Sequence, residues 1–361
     1  MSEEKVKIMK QISIVLPNQL FKENPLFKYK CDIILLEDDL FFGNDAIYKY
    51  INHKNKLIFL KASIYAYKNY LIKKGIKVVH LENKFTIYTI DYLSKYLKNK
   101  YEKLNIIDPH DYLIEKRLKK FCEENNIKIN FLESPMFLTS YSIRKRFISN
   151  PKKPLMGRFY ENQRKDKKIL INYDESPVGG KWSYDEFNRK KLPKNINIPK
   201  LIKLDKNHFV IAAELSIKKN KLQHRGTSIH FNYPTTFEEA NYWLDDFLEK
   251  RFSSFGDYED SISKDLKFLW HSILSPLLNI GLLTPDEVIK KALLIGERKN
   301  IPINSLEGFI RQIIGWREFM SLVYEKYGTK MRTTNFWDFE YKKIPKSFYD
   351  GTTGIDPIDN V

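Results

Sequence analysis

Apolar and polar residues follow two different rhythms along the chain. Between residue 11 and about residue 132, short β-branched runs alternate with stretches whose apolar residues have helical spacing. The runs that predict strands are QISIVL, DIILLE, LIFL, IKVVHL, LNIID and IKINFLE, and SIYAYKNYLIKKG and DYLSKYLKNK are among the helical stretches. Strands that alternate with helices form parallel sheets covered on both faces. We therefore predict an α/β N-terminal domain over residues 1–133.

From about residue 205 the apolar spacing is helical throughout. The helical segments are FEEANYWLDDFLEKRF, DLKFLWHSILSPLLNIG, TPDEVIKKALLIG and NSLEGFIRQIIGWREFMSLVYEKYG. In the last of these, Asn304 and Glu307 have the spacing of a capping box that precedes an apolar face. The pattern predicts an all-α C-terminal domain over residues 205–361.

The segment between these regions, residues 134–204, has weak periodicity and many turn residues. Such a pattern is typical of a long connection on the surface. Phe159, Tyr160, Trp182 and Tyr184 occur among its lysines and arginines, which predicts that it packs against the protein and is not disordered.

Composition narrows the class of protein. The 361 residues are enough for two domains, and 24 Phe and 22 Tyr exclude a disordered or fibrous chain. The formal net charge of +17 indicates either a polyanionic partner or a lysine-rich, soluble surface. Charge alone leaves both interpretations open.

Several classes of protein are excluded by absent motifs. Cys31 and Cys122 cannot build a disulfide framework or a cysteine zinc site. The turn after the first strand, Leu16-Pro17-Asn18-Gln19, lacks the GxGxxG of nicotinamide dehydrogenases. The sequence shows neither a signal peptide nor a membrane span, so we expect a soluble, cytoplasmic protein.

Two segments of the helical region have candidate chemistry. Ser275-Pro276 can open a helix whose free N–H groups bind a phosphate, although a simple helix cap explains the same pair. Gln312 and Trp316, four residues apart, share a helix face. Gly315 between them costs about 1 kcal/mol in a helix interior, which predicts close approach of a backbone, a cofactor or a base.

These segments together resemble the photolyase/cryptochrome superfamily, in its photolyase-related branch that includes bacterial (6-4) photolyases. The resemblance spans essentially the whole chain and rests on the Leu274-Ser275-Pro276 turn, the Gln312 to Phe319 helix and the connection from Pro177 to Asp185. It implies a Rossmann-like N-terminal domain of the photolyase antenna type and a helical, FAD-binding C-terminal domain. It also implies a lyase that uses light and reduced FAD to repair ultraviolet-induced pyrimidine lesions in DNA.

The resemblance assigns roles to residues of this chain. The cofactor-binding candidates are Tyr258, His271, Ser272, Leu274 and Ser275. The candidates for the lesion pocket are Gln312, Trp316 and Arg317, and those for DNA phosphates are Arg144, Lys145, Arg146, Lys152 and Lys153. Glu37 is the candidate contact of a second, lumazine-type antenna chromophore. A core tyrosine at 258, solvated basic residues and a water-facing Glu37 are the alternatives.

Two departures from the superfamily bear on these expectations. With two cysteines, both N-terminal, the chain should not hold a four-cysteine iron–sulfur cluster. The chain also ends at Val361, whereas relatives continue through most of the flavin contacts. We therefore expect an incomplete flavin-binding domain in which FAD is absent or weakly held and Ile310, Ile314 and Leu322 are exposed.

Three functions remain open from the sequence. The first is DNA repair, with damaged DNA as the partner of a monomeric enzyme. The second is a cryptochrome-type blue-light photoreceptor, because fold does not fix function. The third is a DNA-binding remnant without photochemistry.

Overall fold

The computed structural model describes residues 10–83, 89–97, 100–150, 152–335, 337 and 343–360. Five strands form one parallel sheet in the order β3-β2-β1-β4-β5. The strands are β1 Gln11–Val15, β2 Ile33–Leu36, β3 Val78–Leu81, β4 Lys103–Ile107 and β5 Lys128–Leu132. The predicted α/β N-terminal fold is confirmed.

Helices cover the sheet and make up the rest of the described secondary structure, apart from short 3-10 turns. The N-terminal helices are α1 Asp39–Phe42, α2 Lys54–Lys73, α3 Thr89–Leu97 and α4 Tyr112–Glu124. Next come α5 Tyr141–Ser149, α6 Met156–Lys167, α7 His208–Lys219, α8 Phe237–Lys250, α9 Phe252–Phe255 and α10 Ser275–Ile280. The remaining helices are α11 Pro285–Arg298, α12 Ile303–Ile310, the π-helical turn Arg311–Arg317, α13 Glu318–Thr333, α14 Lys346–Asp350 and α15 Asp356–Asp359.

Side chains of β1 alternate between two apolar clusters. Ile12 and Ile14 pack in a cluster with residues of α3 and α4, whereas Val15 belongs to a second, larger cluster. The second cluster continues through α2, α7 and α8 to Ile314 of the π-helical turn. The sheet and the helical region therefore share one core.

The LIFL run, residues 57–60, is a wrong prediction. These residues lie inside α2, and all four are buried. A short run that is apolar on every side fits a buried helix as well as a buried strand, so periodicity could not separate the two.

The connection, residues 134–204, contains two helices that weak periodicity did not reveal. Phe159 and Tyr160 of α6 are buried, and so is Tyr184 further along, which confirms that the connection packs. Arg164 of α6 is also fully buried and donates to the backbone carbonyls of Ile169, Leu170 and Trp182. Those bonds hold the following turns against the helix.

The C-terminal region is helical as predicted, but two local predictions are wrong, those for the helix before Ser275 and for the capping box. The helix expected through residues 265–281 forms only from Ser275 to Ile280. The helix expected through residues 304–328 is present as α12, the π-helical turn and α13, so residues 311–317 are helical but not α-helical. Asn304 and Glu307 form no capping box, because Asn304 donates to Asp257 and Glu307 accepts from the Tyr184 backbone.

The apolar residues expected to be exposed are buried. Ile310 and Ile314 are 0% exposed and Leu322 is 2% exposed. Ile310 and Ile314 belong to the shared core, and Leu322 packs with Phe159 and Phe319. That prediction is therefore wrong, because these residues face helices of this chain.

The loop after β1 positions α10. The Leu20 amide donates to the Ile280 carbonyl over 2.9 Å. Gly281 ends α10 with φ +87°, and a Cβ atom there would lie 2.7 Å from the Phe21 ring. Glycine is required at residue 281 by both the backbone angle and the close approach.

No described helix is long and apolar enough to cross a membrane.

Candidate functional site

A cleft of about 860 Å³ lies between α10, the π-helical turn and the connection. Apolar residues line part of it, including Leu278 and Phe309. Polar and aromatic residues line the rest. They are Asp185, Arg189, Glu259, Asp260, His271, Ser272, Ser275, Asn279, Arg311, Gln312, Trp316 and Arg317. The predicted cofactor turn and the predicted lesion-pocket helix therefore face one another.

The predicted cofactor turn, residues 271–275, forms one side of the cleft. The Trp243 indole Nε1 of α8 donates to the Ser272 carbonyl over 3.2 Å, which anchors the turn. Ile273 has φ +56°, so the backbone bends sharply before α10 begins. Burial lowers the pKa of His271, which favours the neutral imidazole.

Tyr258 lies outside this cleft lining. Its ring stacks on Trp270, with centroids 4.6 Å apart and an interplanar angle of 27°. Trp270 is buried and immediately precedes the cofactor turn. The structure thus places Tyr258 as support behind the turn, while Leu274 is buried at its base.

Gln312 and Trp316 lie on the π-helical turn and line the cleft together, as their spacing predicted. Trp316 is 42% exposed, so its ring faces open space. Arg317 is engaged elsewhere, because Nη1 donates to the Met136 carbonyl and the guanidinium lies 4.6 Å from the Phe137 ring centroid. Burial lowers the pKa of Arg317.

Gly315 has a different neighbour from the one expected. A Cβ atom at this position would lie 3.1 Å from Cδ2 of the Tyr160 ring on α6. The close approach is therefore to a core side chain of the protein. It lets the π-helical turn pack against α6.

Arg311 joins three carboxylates beside the cleft. Its guanidinium lies 3.0 Å from Asp185, 3.4 Å from Glu259 and 3.4 Å from Glu307. Arg311 is 3% exposed, so the cluster is buried on its helical side. Burial raises the pKa of both Glu259 and Glu307, and the Arg311 charge opposes that rise.

The same cluster attaches the connection to the helical region. The Tyr184 amide donates to Glu307 over 2.9 Å, and Asn188 Nδ2 donates to Glu259 over 2.7 Å. Gln312 Nε2 also donates to Glu259. Asp185, from the segment Pro177 to Asp185 that had no evident chemistry in the sequence, thus forms part of one wall of the cleft.

The predicted phosphate-binding residues occupy three different environments. Arg144 is ion-paired with Asp108 and Glu325, so it joins α5 to β4 and α13, and its charge is already compensated. Lys145 is exposed and lines a separate cavity of about 900 Å³ between the sheet and α13. Arg144 therefore has less free charge for a phosphate than Lys145, and its predicted role stays a prediction.

Arg146, Lys152 and Lys153 lie in a basic groove, which we define by these residues and Arg158. All four are exposed, and within the described chain none forms a salt bridge. The groove has a volume of about 320 Å³ and its floor includes Phe147 and Phe159.

An aromatic cluster separates the basic groove from the cleft. Phe319 contacts Trp316 of the cleft at 6.1 Å between centroids, and it contacts Phe147 and Phe159 of the groove at 5.8 Å each. One aromatic side chain therefore lies between the two surfaces.

Glu37 follows β2 at the carboxyl edge of the sheet but lines none of the cavities described above. It is 1% exposed, and its carboxylate lies 2.7 Å from Lys61 Nζ and 3.1 Å from His80 Nε2. The backbone amide of Asn83 donates to the Glu37 carboxylate over 3.0 Å. The alternative of a water-facing carboxylate is wrong, and the structure offers no open face of Glu37 for a chromophore. Burial favours a higher pKa of Glu37, but the hydrogen bond with His80 and the ion pair with Lys61 together lower that pKa.

Sequence reasoning missed Asp185, Glu259 and Arg311 as residues of the site. One signal was available, because Glu307 and Arg311 have the i, i+4 spacing of a helical ion pair. The contacts of Asp185 and Asn188 join distant parts of the chain, which no local pattern reveals.

Among the described residues, no group of His, Cys, Asp and Glu side chains could hold a metal ion.

Comparison with known proteins agrees with the sequence resemblance. Residues 13–233 match the family described as deoxyribodipyrimidine photo-lyase-related protein. A (6-4) photolyase of Agrobacterium fabrum is 27% identical over 256 residues, which cover 71% of this chain and 50% of the relative. The chain thus spans about half the length of that relative.

Solved structures show the same fold. A bacterial class III photolyase from Agrobacterium tumefaciens has a TM-score of 0.58 at 16% identity, over 99% of this chain and 68% of that one. A cryptochrome from Synechocystis has a TM-score of 0.57 at 14% identity, over 97% of this chain and 69% of that one. These two structures, one a photolyase and one a cryptochrome, therefore resemble this fold about equally.

Proposed function

The chain belongs to the deoxyribodipyrimidine photo-lyase-related protein family. From that premise we propose that it acts in light-driven repair of pyrimidine photoproducts in DNA, with weakly held FAD as its cofactor. The observation that supports this proposal is the cleft, in which the cofactor turn at residues 271–275 faces Gln312 and Trp316. A cofactor and a base bound in one cleft would be close enough for electron transfer.

The residues of the cleft fit a dinucleotide such as FAD. Its volume lies within the usual range for small-molecule sites, and its lining combines apolar residues with many polar and charged groups that could bind the polar parts of the ligand. Ser272, Ser275 and His271 would hold the phosphate and ribitol region. FAD bound there would supply light absorption and transfer of a single electron.

Trp316 and Gln312 would bind the damaged base. An exposed indole offers a stacking surface for a pyrimidine ring, and the Gln312 amide offers hydrogen bonds at its edge. A damaged base is poorly stacked in the duplex, so its extrusion costs less than that of a normal base.

The basic groove would bind the DNA backbone. Its four uncompensated cations lie one aromatic side chain away from the cleft. Lysine and arginine contacts to phosphates supply affinity that does not depend on base sequence. The groove would therefore hold the duplex while the extruded base enters the cleft.

Light-dependent loss of photoproducts tests this function. Irradiated DNA is incubated with the full chain and added FAD, and lesions are counted after illumination and after an equal time in the dark. Loss in the light alone is expected. Equal loss in light and dark would refute repair.

A blue-light photoreceptor is the second candidate, because the Synechocystis cryptochrome resembles the fold as closely as the photolyase does. A receptor needs no preference for damaged DNA. Affinity for a photoproduct duplex is therefore compared with affinity for the undamaged duplex at one fixed salt concentration. Equal affinities, with flavin bound, would favour photoreception.

A further inference from the structure

Gln312 has one side-chain group engaged inside the protein and one group free. Its Nε2 donates to Glu259, while no described residue donates to its Oε1. Among the described residues, several buried side-chain oxygen and nitrogen atoms lack a hydrogen-bond partner, and Gln312 Oε1 is not one of them. Because Oε1 has no partner, it is therefore not buried. The Gln312 carbonyl oxygen is thus accessible in the cleft.

Glu259 receives donors from three directions. Besides Gln312, Asn188 Nδ2 donates to it over 2.7 Å and the Arg311 guanidinium lies 3.4 Å away. Burial raises the pKa of Glu259, but donors at both of its oxygens and the Arg311 cation favour the ionised form, which accepts hydrogen bonds and donates none. The Gln312 amide must therefore turn its NH₂ group toward Glu259, because the opposite orientation would place two acceptors together.

We infer that Glu259 is a positioning residue that fixes the direction of the Gln312 side-chain amide, so that the cleft presents the Gln312 carbonyl oxygen as a hydrogen-bond acceptor. The matching ligand group is a donor, such as the imide N3–H of a thymine-derived base. Cytosine offers an acceptor at the same ring position and does not match. The identity of the ligand rests on the proposed function, whereas the direction of the amide does not.

The first test is spectroscopic and needs no DNA. In nitrogen-15 NMR spectra of the full chain, the Gln312 amide is assigned by its loss in Q312M. One of its two protons should resonate downfield of free side-chain amides and exchange slowly, because it is bonded to a carboxylate. An ordinary shift and fast exchange in the wild type would overturn the inference.

Two variants separate positioning from a structural role. E259Q removes the ionised acceptor, so the distinctive Gln312 signal should collapse toward the position of free amides. N188A removes a different donor to the same carboxylate and weakens the same wall of the cleft, yet the Gln312 signal should persist. If N188A changes the signal as much as E259Q does, Glu259 acts only by holding the wall.

The second test uses DNA that carries a thymine–thymine photoproduct. The wild type should prefer this duplex to the undamaged one, and N3-methylation of the lesion bases should reduce the preference about fivefold to tenfold. In E259Q the preference for the damaged duplex should fall by a similar factor, and N3-methylation should no longer change it. In N188A the preference should stay within about twofold of that of the wild type. A wild type without preference would refute the proposed function and leave the NMR result to decide on the amide. If E259Q retains the preference, the positioning role of Glu259 is overturned while the proposed function stands.

Discussion

Arg311 and Asp185 form an ion pair, with Nη1 and Oδ1 3.0 Å apart, between the π-helical turn and the connection. Arg311 also faces Glu259 and Glu307. One buried guanidinium thus compensates carboxylates from three separate segments. The shape of the cleft depends on that residue, because two of these segments line it.

Replacing Arg311 should strongly destabilise the protein. R311M would leave Glu307, which is 0% exposed, and the largely buried Glu259 without their cation. Removing one partner of a buried ion pair costs about 3–5 kcal/mol. We expect a loss of that size in the free energy of unfolding, measured by urea denaturation.

An exposed arginine provides the matched control. Arg298 pairs with Glu249, and their side chains are 58% and 39% exposed. Because solvent screens such a pair, R298M should lower the free energy of unfolding by less than about 1 kcal/mol. Equal losses in R311M and R298M would show that the buried cluster contributes nothing special to stability.

Much of the fold was predictable from sequence because it depends on local periodicity. All five observed strands lie within predicted runs or within one residue of them, and the region after residue 205 is helical as expected. The errors occurred where tertiary packing overrides periodicity. Residues 57–60 are buried on every side in α2, and the segment before Ser275 bends around Trp243 and does not continue α10.

The candidate site was predictable only in part. Motif positions correctly brought His271, Ser272, Gln312 and Trp316 to one cleft. The opposite wall depends on contacts between residues distant in sequence, such as Asn188 with Glu259. A single sequence without its fold cannot indicate such contacts. Charge pattern was misleading in the same way, because Arg144 looks free in the sequence but is paired in the structure.

Neutralising the basic groove should weaken binding to any DNA duplex. K152A/K153A removes two exposed cations that lack acidic partners among the described residues. Each phosphate contact contributes about 0.9 to the slope of log affinity against log salt, so the slope should fall by about 2. Damaged and undamaged duplexes should lose affinity equally, as measured by fluorescence anisotropy.

The control removes two lysines elsewhere. Lys290 and Lys291 of α11 pair with Asp286 and Asp245, so K290A/K291A changes net charge by the same amount away from the groove. Its salt slope should match that of the wild type. Equal slopes in K152A/K153A and the wild type would remove the groove from the proposed DNA path.

The Glu37–Lys61 pair should behave as a buried structural pair. Both side chains are 0% exposed, so K61M leaves a buried carboxylate without its ammonium and should cost about 3–5 kcal/mol. K61M/E37Q removes the charge mismatch and should recover part of the loss. A double variant less stable than K61M would contradict this account, as judged from urea denaturation of the three proteins.

Glu318 should make stability depend on pH above the ordinary range of a glutamate. Its carboxylate accepts hydrogen bonds from the Leu138 amide, the Thr139 amide and the Thr139 hydroxyl. Burial raises the pKa of Glu318 from its usual value of 4.5, and these donors oppose the rise. The folded state therefore holds this proton more tightly than the unfolded chain does.

The sign of the effect follows from that difference. The stability that the protonated carboxyl contributes is fully present below pH 4.5 and is lost as pH rises through the folded-state pKa. E318Q cannot titrate, so the free energy of unfolding of the wild type, relative to that of E318Q, should fall as pH rises from 4.5 through the folded-state pKa of Glu318. T139V removes one donor that favours the ionised form, so its decline over the same range should be steeper than that of the wild type. A difference between wild type and E318Q that stays constant, or grows, with pH would show that the three donors outweigh burial at this carboxylate.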